Sequence, residues 1–395
     1  MNIKYYDNKK THGIEYDYTA IFKEYKRLKI PAEFWTPSPE LMKNKYNILL
    51  SERSTGKTTQ ILLLGMVMYK LYGTQIQYIR QNVEMIKSNA IDIFKAIIDY
   101  NDGAYIKKLT DGRYNSIYIH WRRCYYCLTD ENGKIIEQAS EPFMIMLSID
   151  KSRNYKSSYN APTGDLIIYD EFLNRECYQP NEFINFMDLL STIIRKRKSP
   201  VVFMLANGID YTSHYWKELE ISKEVKQLKR GENLNIITEK GTPIYIEIIG
   251  TKKTKIRQEV NQLFFGFNNE KMNAITGGAE WSFDTVPHIK NSDTDVIINR
   301  DIRIDCNDIM LQVDITLTED RGIIANIHPS TTTTEKSVIL TNGEITAKNQ
   351  LFGYGNEITA LLWKLYKANR CFFDSNETGA LFDNYVKTAR INKRG

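Results

Sequence analysis

The stretch NILLSERSTGKTTQILLLG, Asn47 to Gly65, constrains the fold more than any other. A short apolar run suited to a strand enters a polar turn, and the turn opens an apolar helix through Gly-Lys-Thr. Such a unit cradles phosphate because consecutive backbone N–H groups lead into a helix N-terminus, whose dipole also favours an anion. Gly56 permits close backbone approach, Lys57 reaches for the β- and γ-phosphates, and the Thr58 hydroxyl is a ligand for Mg2+. The loop Ser51, Glu52, Arg53, Ser54, Thr55, Gly56, Lys57, Thr58 and Thr59 is therefore the candidate nucleotide site, with ATP and Mg2+ as the expected ligands. Ser51 stands where the first glycine of such a loop is usual. It is small and keeps its backbone N–H, so the substitution bears on the tightness of the first turn.

A second motif turns nucleotide binding into hydrolysis. DLIIYDEF is an apolar strand ending in Asp170 and Glu171. Asp170 is placed to hold the magnesium shell from a neighbouring strand, and Glu171 to orient and deprotonate an attacking water. Further on, STIIRKRKSPVVFMLANG puts Arg195 and Arg197 at a helix end and Asn207 at the tip of the next strand. An arginine from a neighbouring subunit stabilises charge on a transferring phosphoryl group, and a polar strand tip senses the γ-phosphate or positions water. Taken alone, RKRK reads more readily as a solvated helix end whose cations complement the dipole.

The rest of the chain sets these motifs in an α/β frame. Its 395 residues are 42% hydrophobic and 26% charged, enough to bury the cores of two domains. Short apolar runs alternate with helical patterns: YNILL, QIQYIR, DLIIYD, PVVFMLAN and PIYIEII as strands, and SIYIHWRRCYYCL with PFMIML as an inserted hairpin region. KTTQILLLGMVMYKLYG is a helix closed by Gly73, and NEFINFMDLLSTIIRKRK has apolar residues spaced at three and four. A mostly parallel sheet with helices on both faces is expected over residues 1–250. Residues 251–295 read as a linker or lid subdomain, and 296–395 as a second domain with a hairpin in DIMLQVDITLTEDRGIIANI and a closing helix-strand-helix.

Composition narrows the setting. Five scattered cysteines make a disulfide framework improbable. Cys124 and Cys127 are spaced like half a zinc site, but residues three apart on a strand face opposite ways and no second pair follows. No apolar run is long enough to cross a bilayer, and the polar N-terminus does not resemble a signal peptide, so a soluble intracellular chain with no membrane partner is expected. A net charge of +5 is too mild to announce a nucleic-acid partner, which leaves local clusters to carry that role. The DNA-contact candidates are Lys252, Lys253, Lys255 and Arg257 in TKKTKIR, and Arg80 and Lys87 in YIRQNVEMIKSN, and both clusters read equally well as ordinary solvated charge.

Together these motifs resemble the DNA-packaging ATPases of φ29-like podophages, ring motors of the additional-strand, catalytic-glutamate (ASCE) class of P-loop NTPases and relatives of the large terminases. The resemblance is carried by the loop arginine Arg53 in SERSTGKT, YDEF, the helix entry Pro180 to Glu182, and MDLLSTIIRKRK followed by FMLAN. It covers Asn47 to Gly208 well and thins toward RCFFDSNETGALFDNYVKTARI. It implies that Arg195, with Arg197 beside it, acts across a subunit boundary, and that Lys156 in NYKSSYN, with Arg153 nearby, is a second such residue. It implies a homo-oligomeric ring, by family habit a pentamer, that drives double-stranded DNA through the capsid portal, and it admits a packaging RNA between motor and portal. The implied location is the host cytoplasm, transiently at the procapsid vertex.

The same resemblance gives the C-terminal domain an RNase H-like α+β fold that has lost its metal cluster and serves to dock and guide DNA. Asp314 in LQVDITL and Asp374 in CFFDSN are the carboxylates that a live two-metal nuclease would call on. A large terminase with active nuclease is thus the alternative function, and a nucleotide-gated DNA clamp with slow turnover is another.

Overall fold

The structure is a computed structural model that describes residues 14–52, 55–87, 90–155, 159, 161–173, 179, 181–208, 210, 213–250, 286–289, 295–306, 309–330, 332, 334, 336–341, 349–350 and 357–388. Arg53, Ser54, Lys156, Pro180, Lys252, Lys253, Lys255 and Arg257 lie outside the described residues, as does the side chain of Lys87.

Ten strands form the first sheet: β1 (Tyr46–Ser51), β2 (Ile76–Arg80), β3 (Ser116–His120), β4 (Arg123–Thr129), β5 (Ile135–Gln138), β6 (Met144–Ser148), β7 (Leu166–Asp170), β8 (Val201–Asn207), β9 (Asn233–Ile237) and β10 (Pro243–Ile249). Their order is β3-β4-β6-β2-β7-β8-β1-β10-β9, with β5 paired to β4. The six strands from β6 to β10 in that order are parallel, and antiparallel strands close both edges. Parallel strands need covered faces, and β7 is buried at every position.

One face packs on α1 (Tyr18–Lys26) and α2 (Lys57–Tyr72), the other on α3 (Glu182–Ile194). The alternation along β1 divides the two cores: Leu49 joins the α2 side, and Ile48 and Leu50 the α3 side. α2 is apolar nearly all round because α1 covers its outer surface. At Gly65 an added Cβ would stand 2.6 Å from Ile76, so this glycine lets α2 lie close on the sheet. Gly73 closes the helix at φ 69°, its N–H donating to Tyr69 O.

PFMIML departs from the hairpin expected for it. Its core, β6, pairs in parallel with β2 inside the main sheet, while the hairpin proper is β3–β4 and rests on β6 through β4. An uninterrupted apolar run suits a strand buried on both faces, and Phe143, Met144, Met146 and Leu147 are all buried.

The second sheet holds β11 (Val296–Cys306), β12 (Ile309–Thr318), β13 (Gly322–Pro329), β14 (Val338–Leu340), β15 (Asn349–Gln350) and β16 (Cys371–Phe373) in the order β15-β14-β11-β12-β13-β16. β11, β12 and β13 are an antiparallel meander, and parallel strands flank it on both sides. α4 (Glu357–Lys367) and α5 (Asn376–Thr388) supply Leu362, Leu365, Phe382 and Tyr385 to its core, giving a smaller α+β unit.

Candidate nucleotide-hydrolysis site

The phosphate loop springs from the buried end of β1. Ser51 pairs with Asn207 of β8 and Ile249 of β10, and its hydroxyl donates to Glu52 O at 2.7 Å and meets Thr55 Oγ1 at 2.8 Å. The serine thus ties the loop's two ends together. Gly56 takes φ 84°, and a Cβ there would stand 2.9 Å from the Phe34 ring. Glycine is required on both counts. The preceding segment closes over the loop, Trp35 N–H donating to Thr55 O at 3.1 Å. The Glu52 carboxylate accepts from Arg230 Nη1 at 2.7 Å, which leaves the Glu52 backbone as its contribution to the loop.

Lys57 is buried on the first turn of α2, and its Nζ donates to Asn207 Oδ1. Burial pulls its ammonium down to about 8 against the raising influence of Asp170 and Glu171. Thr58 follows, its hydroxyl 3.3 and 3.4 Å from the two Asp170 oxygens. Thr59 is half-buried on the same turn. β8 lies between β1 and β7, so the lysine, the Asn207 tip and the Asp170 carboxylate converge at the carboxyl ends of three adjacent strands.

Asp170 accepts from Tyr78 OH at 2.8 Å and from the Glu171 N–H at 3.0 Å. Glu171 leaves the strand at φ 56°, which aims its half-exposed carboxylate away from the core. Arg80 changes place here. Expected on DNA, it is instead a mostly buried cation at the end of β2, with Nη1 3.7 Å from Asp170 Oδ2 and Nη2 2.5 Å from Glu171 Oε2. The β2–β7 register pairs Ile79 with Tyr169, so the next residues along, Arg80 and Asp170, come side by side. Burial opposes the guanidinium charge, but Tyr78, Asp170 and Glu171 outweigh it and push its pKa above the usual arginine range. The sequence pointed to Arg80 only as a DNA contact and did not single out Tyr78, yet both meet Asp170 here. Their spacing of two puts both on one face of β2 beside Asp170.

A buried carboxylate ties this edge to α3. Glu182, the first residue of α3, accepts from Tyr169 OH at 2.8 Å, Tyr215 OH at 2.7 Å, Gln179 N–H at 2.8 Å and Gln81 Nε2. Tyr169 precedes Asp170 and Gln81 follows Arg80, so the ends of both β7 and β2 are joined to the helix. α3 then runs back across the sheet, its 13 residues spanning about 20 Å. Arg195 ends it at φ 50°, exposed, with Nη2 donating to Tyr159 O at 2.8 Å.

Arg197 does not share that exposure. Its Nη1 lies 2.8 Å from Asp165 Oδ1 and donates to Pro162 O, while Nη2 donates to Ile193 O. Asp165, fully buried, also accepts from Tyr16 OH and Ser199 Oγ. Arg197 therefore anchors the start of β7 within its own chain, which corrects its assignment as a catalytic partner of Arg195.

Cys124 and Cys127 sit three apart on β4, both buried, and burial pushes both thiols up. In the second sheet, Asp314 accepts from Gln312 Nε2 at 2.6 Å and lies 3.5 Å from His328 Nε2 and 3.6 Å from Arg300 Nε. Burial works against its charge, but His328, Gln312 and Arg300 hold its pKa below the usual carboxylate range. Among the described residues no group of three or more His, Cys, Asp or Glu could hold a metal ion.

A phosphate loop, a strand ending in Asp-Glu and one strand between them define a P-loop NTPase fold of the additional-strand class. No protein-family model matches the chain, and no curated protein matches it. Among solved structures it is similar to the Phi-28 gp11 DNA packaging motor, with a TM-score of 0.53 at 15% identity over 92% of this chain and 100% of that one. It is similar too to the bacteriophage Phi-29 viral genome packaging motor assembly, with a TM-score of 0.50 at 17% identity over 90% of this chain and 100% of that one. The fold shared with phage packaging motors therefore runs through both sheets.

Proposed function

We propose that this chain is an ATP-driven motor that moves double-stranded DNA into a viral capsid as a homo-oligomeric ring on the portal. The observation that carries hydrolysis is the meeting of Thr58, Asp170 and Glu171 at one strand edge beside Lys57. DNA as the load is supported by the fold shared with packaging motors.

ATP enters with its phosphates on the N–H groups of the loop, and Lys57 leaves Asn207 for the outer phosphates. Asn207 is then free to read the γ-phosphate. Hard oxygen donors this close together, the Thr58 hydroxyl and the Asp170 carboxylate, fit Mg2+, which when bound would neutralise charge building on the phosphates. Glu171 takes the proton of the attacking water, and its Oε2 is open to that water only when it parts from Arg80. Arg80 is thus a brake on hydrolysis within the subunit.

Arg195 lies a helix length from its own subunit's catalytic edge. Its exposed guanidinium is therefore suited to the phosphates of a neighbour, with Lys156 as the second such residue by resemblance. Lys252, Lys253, Lys255, Arg257 and Lys87 are the proposed grips on DNA phosphates. Asp314 is held by a cation, an amide and an imidazole, so the smaller domain is read as a docking and guiding module and not as a nuclease.

Mixing Arg195→Ala subunits, which keep the nucleotide site, with Lys57→Ala subunits, which keep the arginine, tests the ring. Recovery of ATP turnover above either variant alone is expected. Mixtures no more active than the sum of their parts would rule out action across the interface.

A further inference from the structure

The tip of the β3–β4 hairpin takes no part in the nucleotide site, yet its construction is unusual. His120 pairs with Arg123, leaving a turn of two residues, Trp121 and Arg122. Trp121 holds the first position at φ 60°, backbone that glycine, asparagine or aspartate adopts with least strain in such turns. For a bulky aromatic this is an outlying conformation. The ring recovers nothing by burial, being 85% exposed. His120 and Arg123 are exposed beside it, and the Tyr118, His120 and Trp121 rings follow one another with centroids 6.1 and 6.3 Å apart.

Arg122 fastens the tip to the body of the protein. Its Nη1 donates to Tyr155 OH, and its guanidinium lies 5.1 Å from the Tyr155 ring centroid. Tyr155 ends the short helix Ser152–Tyr155, where Arg153 is exposed, with Lys151 exposed just before it. Among the described residues, Arg123 and Arg153 have no acidic partner, and Lys151 has Asp150 at 4.0 Å. The tip stands at the carboxyl edge of the sheet: Met146 N–H donates to Arg122 O at 2.8 Å, and β6 continues to Ser148 opposite Arg80.

We infer that this hairpin tip is a contact for duplex DNA, with Arg123 on a backbone phosphate and Trp121 wedged in the groove, an inference that rests on the DNA-translocating function proposed above. A two-stranded ribbon fits the major groove, and a tip with unpaired arginines around an exposed aromatic suits a polyanion. A second copy of the chain, itself carrying a net charge of +5, is the poorer match for a cationic surface. Its place on the same edge as Glu171 puts the DNA contact within one rigid sheet of the hydrolytic residues.

The test uses the full-length protein and a fluorescein-labelled blunt duplex. Arg123→Ala is expected to reduce the slope of log affinity against log salt by about one, the value for one lost phosphate contact. Trp121→Gly keeps the turn conformation and removes the ring. It is expected to weaken duplex affinity by about tenfold while ATP turnover without DNA stays unchanged. Duplex should also shift tryptophan emission in the wild type and do so much less in Trp121→Phe. Wild-type affinity and salt slope in both Arg123→Ala and Trp121→Gly would overturn the inference. So would loss of self-association at unchanged DNA affinity, which would assign the tip to a neighbouring copy. If the wild type itself failed to bind duplex, the translocation reading would fall and the tip contact with it.

Discussion

Arg80 Nη2 lies 2.5 Å from Glu171 Oε2, so the carboxylate best placed to activate water is held by a cation of its own chain. Glu171 is 45% exposed, and an ion pair in such a setting is worth up to ~1 kcal/mol. Arg80→Gln is expected to raise ATP turnover without DNA by up to about fivefold and to shrink the further rise on adding duplex. Steady-state turnover with and without duplex measures both. A variant slower than wild type in both conditions would mean that Arg80 assists hydrolysis and does not restrain it.

Lys57 gives ATP binding a pH dependence. In the nucleotide-free protein its ammonium loses its proton near pH 8, because burial disfavours the charge. Bound phosphate holds the proton on, so the bound form has the higher pKa. Affinity is then steady below about pH 8 and falls as pH rises beyond it, by up to about tenfold per unit. Lys57→Ala should bind more weakly at pH 7 and lose this fall. Calorimetric titration with a non-hydrolysable ATP analogue across pH 7 to 10 reads the difference.

The two arginines after α3 should separate stability from turnover. Arg197→Ala leaves the buried Asp165 without its cation and is expected to cost about 3 kcal/mol in urea unfolding. Arg195→Ala removes an exposed side chain and should change stability by less than ~0.5 kcal/mol while lowering ATP turnover. The opposite ranking in stability would contradict the placement of the pair.

Glu182 should matter as a structural joint. Glu182→Ala removes the acceptor shared by two buried tyrosine hydroxyls, the Gln81 amide and the Gln179 N–H, a loss of about 3 kcal/mol. Burial raises the Glu182 pKa above its unfolded value despite four hydrogen bonds. Its contribution to stability is therefore full below the unfolded carboxylate pKa and declines as pH rises through the folded one. Glu182→Gln should flatten that decline, measured by urea unfolding across the acid range.

The phosphate loop and the Asp-Glu strand were legible in the sequence because each is a local pattern: a strand, a turn and a helix within twenty residues, or an apolar run ending in acids. The closing helix-strand-helix of the smaller domain was legible for the same reason. Arg80 was not, since its meeting with Glu171 depends on β2 and β7 pairing across some 90 residues, and on a basic strand end that also suits DNA. The hint was the spacing of Tyr78 and Arg80. Arg195 and Arg197 are the same residue type two positions apart, and Asp165, more than 30 residues earlier, decides which one is tied down. PFMIML has no period to separate a hairpin strand from a central one, so its place in the sheet is set by partners and not by its own residues.

ATP turnover of the wild type and Glu171→Gln, each with and without duplex DNA, is the most direct test of a DNA-driven ATPase. Duplex should accelerate the wild type, while Glu171→Gln should fall by at least about a hundredfold in both conditions and still bind ATP. A wild type indifferent to duplex, or a Glu171→Gln variant turning over ATP at close to the wild-type rate, would contradict it.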